Sequence, residues 1–463
     1  MNAAAGHQLV GLNSYQLYTL KNKLTFENPA FTKARELGQP TQGIAEVLRG
    51  YKEHDNALIV PKHFSDYPRE CIRAQSNHDV VHFDKELKTQ PRHTQLDVID
   101  KLITKFPRDV GLSLPCGFGK TFLALYYAQM FRGRVLVVCP TNVKLEEWKV
   151  EIGKHFSLDK DNIGHVQANV RKWEDYPVTL TMLKTLATQS FPDEFLCGFD
   201  LVIWDEAHLC GAPVLSQALG RVRGTNLTLT ATPGRGVRRK LIELHNGRDW
   251  ITDQSANKVP VSAYFLEVPV SDYIKSLDWR FQKIRLSKTK SYSDFAIKHI
   301  DSALDAGRRV LVLNSQIQPL AYIGSRYNNA GFVVGSGSLK DIAKREIDSL
   351  FNTEKSWKKK TSRYLERVKT ISNPILATGL TKTQPGGVGM DVSDLDAGIV
   401  MFPVACPDMT QQLVGRWQRR HKEKKDPIVI IMVPQTSVAK AIAKKMEHKL
   451  ISLGISVNVR KAQ

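Results

Sequence analysis

The amino-acid sequence predicts an α/β protein with two tandem parallel-sheet domains, preceded by a small α+β domain. Short β-branched runs alternate with helical patterns, which indicates βαβ units with strands covered on both faces. The number of runs is larger than the number of strands in an ordinary sheet, which is about four to six, so two sheets are expected. The first sheet is predicted to contain Val110–Pro115, Val135–Cys139, Val178–Met182, Leu201–Trp204 and Asn226–Thr230, and the second Val310–Asn314, Pro374–Thr378, Ala397–Phe402 and Ile428–Val433.

The domain boundaries follow from these runs. Residues 1–85 match neither set and carry mixed helix and strand signals punctuated by prolines, so we predict a small separate domain there. The first sheet and its helices are assigned to residues 86–250, and the second to residues 291–463. Between them, the stretch 251–290 is predicted to be a connector, with Val261–Val268 as an extended segment.

The composition indicates a globular protein with a basic surface. Of the 463 residues, 42% are hydrophobic and 24% charged, which allows a sizeable core. The net charge of +20 can neutralise phosphates, so nucleic acid is the first partner to consider, although a basic surface can also serve solubility alone. The six cysteines include no C-x-x-C pair. Without a signal peptide or an apolar run of about 18 residues, we expect a cytoplasmic protein with no membrane contact.

A glycine-containing turn between an apolar strand and a helical run is the strongest motif. Its glycines let backbone N–H groups face an anion at a helix N-terminus. Lys120 is expected to reach the β- and γ-phosphates of a nucleotide, and the Thr121 hydroxyl to bind Mg²⁺. Leu114 replaces the first glycine of the strict pattern, and a turn with a solvated lysine is the alternative. The predicted loop consists of Pro115, Cys116, Gly117, Phe118, Gly119, Lys120 and Thr121.

Two carboxylates follow the predicted strand Leu201–Trp204. Asp205 stands at the carboxyl end of that strand, where open α/β sheets bind ligands. It is expected to hold Mg²⁺, which usually keeps several waters and few carboxylates. Glu206 could then orient or deprotonate the attacking water. Acidic residues at strand ends also cap helices, but the phosphate-binding loop upstream favours a site that hydrolyses ATP with Mg²⁺.

These residues, in this order, resemble the motifs of superfamily 2 helicases, and the resemblance extends from Thr89 to about Arg420. It implies two RecA-like motor domains that use ATP hydrolysis to move along or remodel nucleic acid. It also implies roles for residues outside the phosphate loop. Arg92 and Gln95 would recognise the nucleotide, and Pro140, Thr141 and Thr181 would contact the nucleic-acid backbone. The segment Thr230-Ala231-Thr232-Pro233 would couple hydrolysis to domain movement.

In the second domain, the resemblance implies a finger-like role for two arginines. Gln412, Arg416 and Arg419 match the Q-x-x-G-R-x-x-R motif. Arg416 and Arg419 are three residues apart, which predicts one face of a helix. They could stabilise charge on the γ-phosphate, an effect that contributes about 10³ to 10⁵ in rate in related NTPases. Read alone, they would be a solvated basic face.

A second motif of that domain is interrupted. Thr378 resembles the threonine that contacts nucleic acid, and Gly389 and Asp391 resemble nucleotide-binding residues of the same motif. The stretch Gly379–Val388 between them is longer than the family spacing, which leaves the role of Thr378 open.

A basic segment lies between the second-domain strands. Lys358, Lys359 and Lys360 stand beside Trp357, with Tyr364 further along. Interleaved aromatic and basic residues can stack on bases while pairing with phosphates. The alternative is an exposed helix.

Within superfamily 2, the overall size and the compact domain 1–85 resemble phage recombination helicases of the UvsW type, as in a T5-like phage. This implies unwinding or branch migration of forks, D-loops and four-way junctions, with residues 1–85 binding DNA and selecting the substrate. We expect a monomer in the host cytoplasm that works beside recombination proteins. The alternatives are a duplex translocase subunit of a restriction or remodelling complex, an RNA helicase, and an ATP-gated clamp that barely hydrolyses.

Overall fold

The structure is a computed structural model that divides into two compact units, Met1–Ala256 and Asn257–Gln463. No helix among the described residues is long and apolar enough to cross a membrane. The described residues are 6–36, 38–54, 57–68, 70, 86–115, 117–156, 158–231, 233–234, 236–253, 259–334, 357–378, 392, 394–418, 421 and 424–460.

The first unit contains the strands and helices of the first predicted sheet and those of the N-terminal stretch. In chain order they are β1 (His7–Leu9), α1 (Ser14–Lys23), β2 (Thr25–Glu27), α2 (Pro29–Glu36), β3 (Val47–Arg49), β4 (Lys52–His54), β5 (Ala57–Val60), α3 (Leu96–Lys105), β6 (Val110–Ser113), α4 (Lys120–Ala128), β7 (Val135–Cys139), α5 (Asn142–Phe156), β8 (Gly164–Gln167), β9 (Val170–Lys172), β10 (Val178–Met182), α6 (Leu183–Thr188), α7 (Asp193–Cys197), β11 (Leu201–Trp204), β12 (Thr225–Thr230), α8 (Gly236–Asn246) and β13 (Trp250–Thr252). Short 3₁₀ helices cover His93–Gln95, Lys160–Asn162, Ala207–Gly211 and Leu215–Ala218.

The main sheet of this unit has eight strands in the order β13-β6-β12-β11-β7-β10-β8-β9. All neighbours pair in parallel except β8 and β9, which are antiparallel. Strands β6, β7 and β11 are buried along their whole length, because helices cover both faces of a parallel sheet. All five strands predicted for this sheet are confirmed, whereas the short strands β8, β9 and β13 at its edges were missed.

The N-terminal stretch forms a three-stranded antiparallel sheet, β1-β5-β4, and the pair β2-β3. The stretch contains both helices and strands, as expected, and its residues group with the first sheet in one compact unit. Leu9 and Leu58 share an apolar cluster with Leu244 of α8. The carboxylate of Asp109, just before β6, accepts from Lys62 at 3.1 Å and lies 2.6 Å from Nε2 of His63. Apolar contact and a buried ion pair therefore hold this stretch against the main sheet.

The second unit is built in the same way. Its elements are β14 (Ser262–Val268), α9 (Asp272–Lys275), α10 (Trp279–Ser287), α11 (Lys290–Asp305), β15 (Val310–Asn314), α12 (Ile317–Gly324), β16 (Gly331–Val333), α13 (Trp357–Thr370), β17 (Ile375–Thr378), β18 (Ala397–Val400), α14 (Pro407–Val414), β19 (Ile428–Pro434), α15 (Ser437–Ser452) and β20 (Ser456–Arg460). The seven strands have the order β16-β17-β15-β18-β19-β14-β20, and each described pairing is parallel. The four strands predicted for this sheet are confirmed.

The stretch 251–290, predicted to be a connector, contains strand residues of both sheets. Strand β13 pairs with β6 in the first sheet, and β14 lies between β19 and β20 in the second. Buried and half-buried residues alternate in β14, so its sequence resembles a half-exposed extended segment. Only its pairing on both sides shows that it is an interior strand, and the helices α9 and α10 follow it in the second unit.

Candidate nucleotide site

Four neighbouring strands of the first sheet end beside one another. Strands β6, β12, β11 and β7 are adjacent in the sheet order and run in the same direction. The predicted phosphate loop follows β6, and Asp205 follows β11. Ligands of open α/β sheets bind outside the carboxyl ends of the strands, so this edge is the candidate nucleotide site.

The loop after β6 requires glycine. Gly117 has φ 80° and Gly119 has φ 94°, a left-handed region that residues with a Cβ rarely adopt. A Cβ on Gly119 would also lie 2.4 Å from Nε2 of Gln95 and 2.5 Å from Nη2 of Arg92. Gly119 is the N-cap of α4, so the loop delivers its backbone N–H groups to a helix N-terminus.

Lys120 is held inside the loop. Its Nζ donates to the carbonyl oxygens of Leu114 at 2.9 Å and Pro115 at 3.1 Å. Leu114, which departs from the strict motif, is fully buried, so that position packs in the core. Thr121 follows in the first turn of α4. Cys116 lies outside the described residues.

The predicted nucleotide-recognition residues contact the loop directly. Gln95 is 1% exposed, and its Nε2 donates to the carbonyl oxygen of Phe118 at 3.0 Å. Nη2 of Arg92 donates to the same oxygen at 2.7 Å. The Arg92 backbone N–H donates to Oε1 of Gln95 at 2.9 Å, which fixes the two residues together. Adenine recognition and loop geometry would therefore depend on each other.

Asp205 is buried and fully engaged at the end of β11. Its Oδ1 accepts from the backbone N–H of Glu206 at 2.9 Å, and its Oδ2 accepts from Nε1 of Trp148 at 2.9 Å. Burial raises the pKa of Asp205 above its usual value, and the Glu206 carboxylate adds to that shift. The ammonium groups of Lys144 and Lys120 act in the opposite direction. The Lys120 ammonium of the loop therefore acts on the pKa of the carboxylate after β11.

Helix α5 supplies two residues that sequence reasoning missed. Lys144 and Trp148 are four residues apart, so they lie on one face of the helix. Burial alone would lower the pKa of Lys144, but the carboxylates of Glu147, Asp205 and Glu206 raise it overall. The Lys144 ammonium lies 2.9 Å from Oε2 of Glu147. The signal was available in the sequence, because α5 begins directly after the Pro140–Thr141 motif.

Glu206 connects the carboxylate pair to the next strand. Its φ of 48° is strained for a residue with a side chain, and such strain clusters at functional sites. Oε2 of Glu206 lies 3.3 Å from Nδ1 of His208, which in turn lies 3.2 Å from the Thr230 hydroxyl at the end of β12. The Asp205–Glu206 pair and the Thr230 segment, which was predicted to couple hydrolysis to domain movement, are therefore joined through one imidazole. Thr232 lies outside the described residues.

The residues predicted to contact nucleic acid differ in their exposure. Pro140 and Thr141 are half-buried after β7, and the Thr141 hydroxyl accepts from the Lys144 backbone N–H at 3.3 Å. Thr181 is fully buried, and its hydroxyl donates to the carbonyl oxygen of Val166 at 2.9 Å. In this structure Thr181 bridges β10 and β8, and its contact with the nucleic-acid backbone stays a prediction. Thr378 is 4% exposed at the end of β17.

The motif residues of the second unit are only partly described. Gln412 lies on α14 and Arg416 just beyond it, 8% and 5% exposed. The helix ends at Val414, so the prediction that Arg416 lies on a helix is wrong, although the chain continues as a turn through Gln418. The described residues do not include Arg419, Gly389 or Asp391. On α13 the side chains of Lys358, Lys359 and Lys360 are also not described.

The residues present fit a magnesium nucleotide. Among the described residues, no three His, Cys, Asp or Glu side chains form a metal cluster. Mg²⁺ bound with a nucleotide usually needs only one or two carboxylates plus phosphates and waters. The buried carboxylate of Asp205 and the hydroxyl of Thr121, beside a loop that requires glycine, suit that chemistry.

Comparisons with known proteins agree with this geometry. Residues 88–235 match the family described as type III restriction enzyme, res subunit. A putative ATP-dependent RNA helicase of Acanthamoeba polyphaga mimivirus is 24% identical over 403 residues, which cover 83% of this chain and 72% of that protein. A probable helicase of Escherichia phage T5 is 22% identical over 323 residues, which cover 68% and 66%. The solved fragment of a putative HsdR subunit of a type I restriction enzyme from Vibrio vulnificus YJ016 shares the fold, with a TM-score of 0.52, 15% identity and coverage of 81% and 70%.

The fold and the site together define an α/β nucleotide-binding protein with tandem RecA-like domains. The chain is similar to helicases of superfamily 2, with the res-subunit match over residues 88–235 and helicase relatives over most of its length. The predicted resemblance to superfamily 2 helicases is thereby confirmed, and a probable helicase of a phage is among the relatives.

Proposed function

We propose that the protein is an ATP-dependent DNA helicase or translocase that unwinds or branch-migrates branched DNA in recombination, replication or repair. Its substrates would be forks, D-loops and four-way junctions, and its cofactors ATP and Mg²⁺. The observation that carries the proposal is the edge of the first sheet. There Gln95 donates to the glycine loop, and the Lys120 ammonium of that loop acts on the pKa of the buried Asp205 beside Glu206.

Each residue of this edge has a distinct role in the proposal. Lys120 exchanges its two loop carbonyls for β- and γ-phosphate oxygens when ATP binds. Asp205 and the Thr121 hydroxyl would hold Mg²⁺, which would supply positive charge against the phosphates. Glu206 positions the attacking water and accepts its proton, and His208 carries that change to Thr230. Hydrolysis would therefore alter the contact between the carboxylate pair and β12.

The second unit is assigned the groups that make hydrolysis depend on domain closure. Gln412, Arg416 and Arg419 would contact the γ-phosphate, with Gly389 and Asp391 also on the nucleotide side. This part of the proposal is supported by the match of their sequence to the superfamily motif. Such arginines act mainly in the transition state.

The net charge of the chain and one of its relatives support DNA as the substrate. The net charge of +20 suits a polyanion, and one relative is a probable helicase of a phage. A motor that contacts phosphates is blind to sequence and must select its substrate by shape. The N-terminal stretch, packed on the first sheet, is the part proposed to engage a second arm of branched DNA.

Two other functions have specific support. The res-subunit match favours a duplex translocase that works in a restriction complex. The similarity to a putative ATP-dependent RNA helicase favours RNA as the substrate. Both functions would use the same nucleotide site, so they differ from the main proposal only in the nucleic acid that the motor binds.

One experiment separates these functions. ATP hydrolysis is titrated in parallel with single-stranded DNA, linear duplex, four-way junctions and RNA, and strand separation is followed on the same substrates. Junctions should stimulate most and should be unwound or migrated. Stimulation by duplex without strand separation would support the translocase, and stimulation by RNA alone the RNA helicase. Glu206→Gln is the control and should abolish hydrolysis on every substrate.

A further inference from the structure

A cavity of about 700 Å³ lies between the N-terminal strands and the main sheet of the first unit. It opens where β3 and β4 approach the segment before β12 and the end of α8. This is the amino end of the main strands, since Arg221 precedes β12 and His245 precedes β13. The cavity is therefore at the opposite edge of the sheet from the candidate nucleotide site.

Basic side chains dominate the polar lining of this cavity. Arg49, Lys52, Arg221 and His245 line it, against the single carboxylate of Glu46. Within the part of the chain that the structure describes, neither Lys52 nor Arg221 forms a salt bridge. Buried or half-buried cations that lack a counter-charge are costly, so their convergence on one cavity needs an explanation.

These basic groups retain hydrogen-bond donors. Nζ of Lys52 donates to the carbonyl oxygens of Gln217 at 3.0 Å and Leu219 at 3.3 Å, which uses two of its three protons. Arg221 donates through Nη1 to the carbonyl oxygen of Leu186, which leaves other guanidinium protons. Nδ1 of His245 is buried and has no hydrogen-bond partner among the described residues.

The charges also disfavour one another. Burial, with a smaller contribution from Arg221, lowers the pKa of Lys52 to about 7. Burial, followed by Lys52 and His63, lowers the pKa of His245 to about 3. Burial lowers the pKa of Arg221 as well. An anion in the cavity would reverse this repulsion, because an opposite charge favours the charged forms.

We propose that this cavity is a second phosphate-binding site, in which Lys52, Arg221 and His245 donate to the phosphate oxygens and Arg49 attracts the ligand at the mouth. A phosphate offers several acceptor oxygens to donors that converge from different elements, and Arg matches its geometry. The volume falls within the about 300–1,000 Å³ of small-ligand pockets, so a whole nucleotide fits. The phosphate belongs either to a nucleic-acid strand or to a free nucleotide.

Two variants test the site by different means. Arg221→Gln removes a donor. Ala45→Glu places a carboxylate at the rim, where the Ala45 side chain is exposed, and so repels an anion without removing a described side-chain contact. Lys101→Gln, at an exposed position on α3, is the control for the change in charge. Cooperative thermal melting checks that each variant is folded.

The probes are ADP, by calorimetric stoichiometry, and oligothymidylate, by fluorescence anisotropy across a salt titration. If a free nucleotide is the ligand, the parent binds two ADP and both variants bind one. If a strand is the ligand, both variants lose about tenfold in oligothymidylate affinity and about one unit of salt slope. Basal ATP hydrolysis should stay at the parental level, which separates this site from the nucleotide site.

The proposal is overturned if the parent binds a single ADP and both variants bind oligothymidylate as the Lys101→Gln control does. It is also overturned if Arg221→Gln alone loses binding, because the effect would then come from the lost hydrogen bond to the Leu186 carbonyl.

Discussion

At the residue scale, the candidate nucleotide site is a set of side chains held by one another before any ligand arrives. Lys120 is bound to the carbonyls of its own loop, and Asp205 to an indole and a backbone N–H. Binding ATP must therefore exchange internal hydrogen bonds for bonds to phosphate, which costs little in net energy and keeps the geometry. The roles assigned to individual residues can be separated because each acts at a different stage.

Glu206→Gln should stop turnover without preventing nucleotide binding. The amide keeps the size of the side chain but cannot accept the proton of water, and a general base contributes about 10² to 10⁴ in rate. Lys120→Ala should instead weaken ATP binding, since it removes the ammonium of the phosphate loop. Steady-state kcat and the Kd of a fluorescent ATP analogue measure the two effects. Equal losses of affinity in both variants would contradict these roles.

Trp148→Phe tests a positioning residue. The ring still fills a site that is 2% exposed, but Oδ2 of Asp205 loses its donor. An unsatisfied buried carboxylate oxygen should reorient, so we expect kcat to fall by about tenfold and the Mg²⁺ dependence to shift, with little change in the KM for ATP.

The matched control is Trp250→Phe, which removes an indole donor to the Glu243 carboxylate at 3.0 Å, away from Asp205. A purely structural role for Trp148 would lower the melting temperature in both variants and leave the Mg²⁺ dependence of each unchanged.

At the scale of elements, helices connect the predicted functions. Helix α5 begins at the half-buried Pro140–Thr141 motif and carries Lys144 and Trp148 to the carboxylate pair. We therefore expect that nucleic acid bound at the start of this helix would move Lys144 and Trp148, which lie within little more than one turn of each other. Through these two side chains the movement would reach the Asp205–Glu206 pair. In the second unit, α13 carries the basic segment and packs Tyr364 and Val368 into the core.

The lysines at the start of α13 should contribute to nucleic-acid affinity. Replacing Lys358, Lys359 and Lys360 with alanine should weaken binding and reduce the salt slope by up to about three units, because each phosphate contact releases counterions. Anisotropy across a salt titration measures this. The matched control replaces Lys444, Lys445 and Lys449 on α15 with alanine. An unchanged slope relative to that control would make the segment a solvated face.

At the scale of the whole molecule, the carboxylate of Asp109 helps to hold the N-terminal stretch against the first sheet, together with the Leu9–Leu58–Leu244 apolar cluster. The carboxylate is 3% exposed and lies 3.0 Å from Nζ of Lys62. Its Oδ1 also accepts from the Asn226 backbone N–H at 2.7 Å, at the start of β12. Deleting residues 1–85 would leave this charge buried without its cationic partners, so tests of substrate choice should use point variants.

Asp109→Asn should destabilise the first unit by about 1–3 kcal/mol at neutral pH, the cost of a broken charge-assisted bond. Burial alone would raise the pKa of Asp109, but His63, Lys62 and the Asn226 N–H hold it below its usual value of 3.8. A lowered folded pKa contributes stability above the unfolded pKa, which is lost as pH falls through the folded value. Urea unfolding should therefore show a gap between parent and variant that is constant near neutrality and narrows below about pH 4. A gap that widens in acid would contradict this.

The sequence by itself determined the strands that are buried along their length and the residues that follow them. Continuous β-branched runs have one stable environment, so β7, β10, β11 and β15 were predicted with correct ends. The glycines of the phosphate loop were equally determined, because only their φ angles allow the turn. The sequence did not determine the half-exposed strands. In β14 buried and half-buried residues alternate as in a segment at the surface, and only its pairing with β19 and β20 makes it an interior strand.

Tertiary structure also decided the orientation of polar side chains. The sequence predicted the same role, contact with the nucleic-acid backbone, for Thr181 and Thr141. In the structure the Thr181 hydroxyl donates to the Val166 carbonyl, whereas the Thr141 hydroxyl accepts from the Lys144 backbone N–H at the start of α5. The partners of Asp205 and Asp109 come from residues tens of positions away. Hydrogen bonds over such separations depend on how elements pack, and local periodicity carries no information about that.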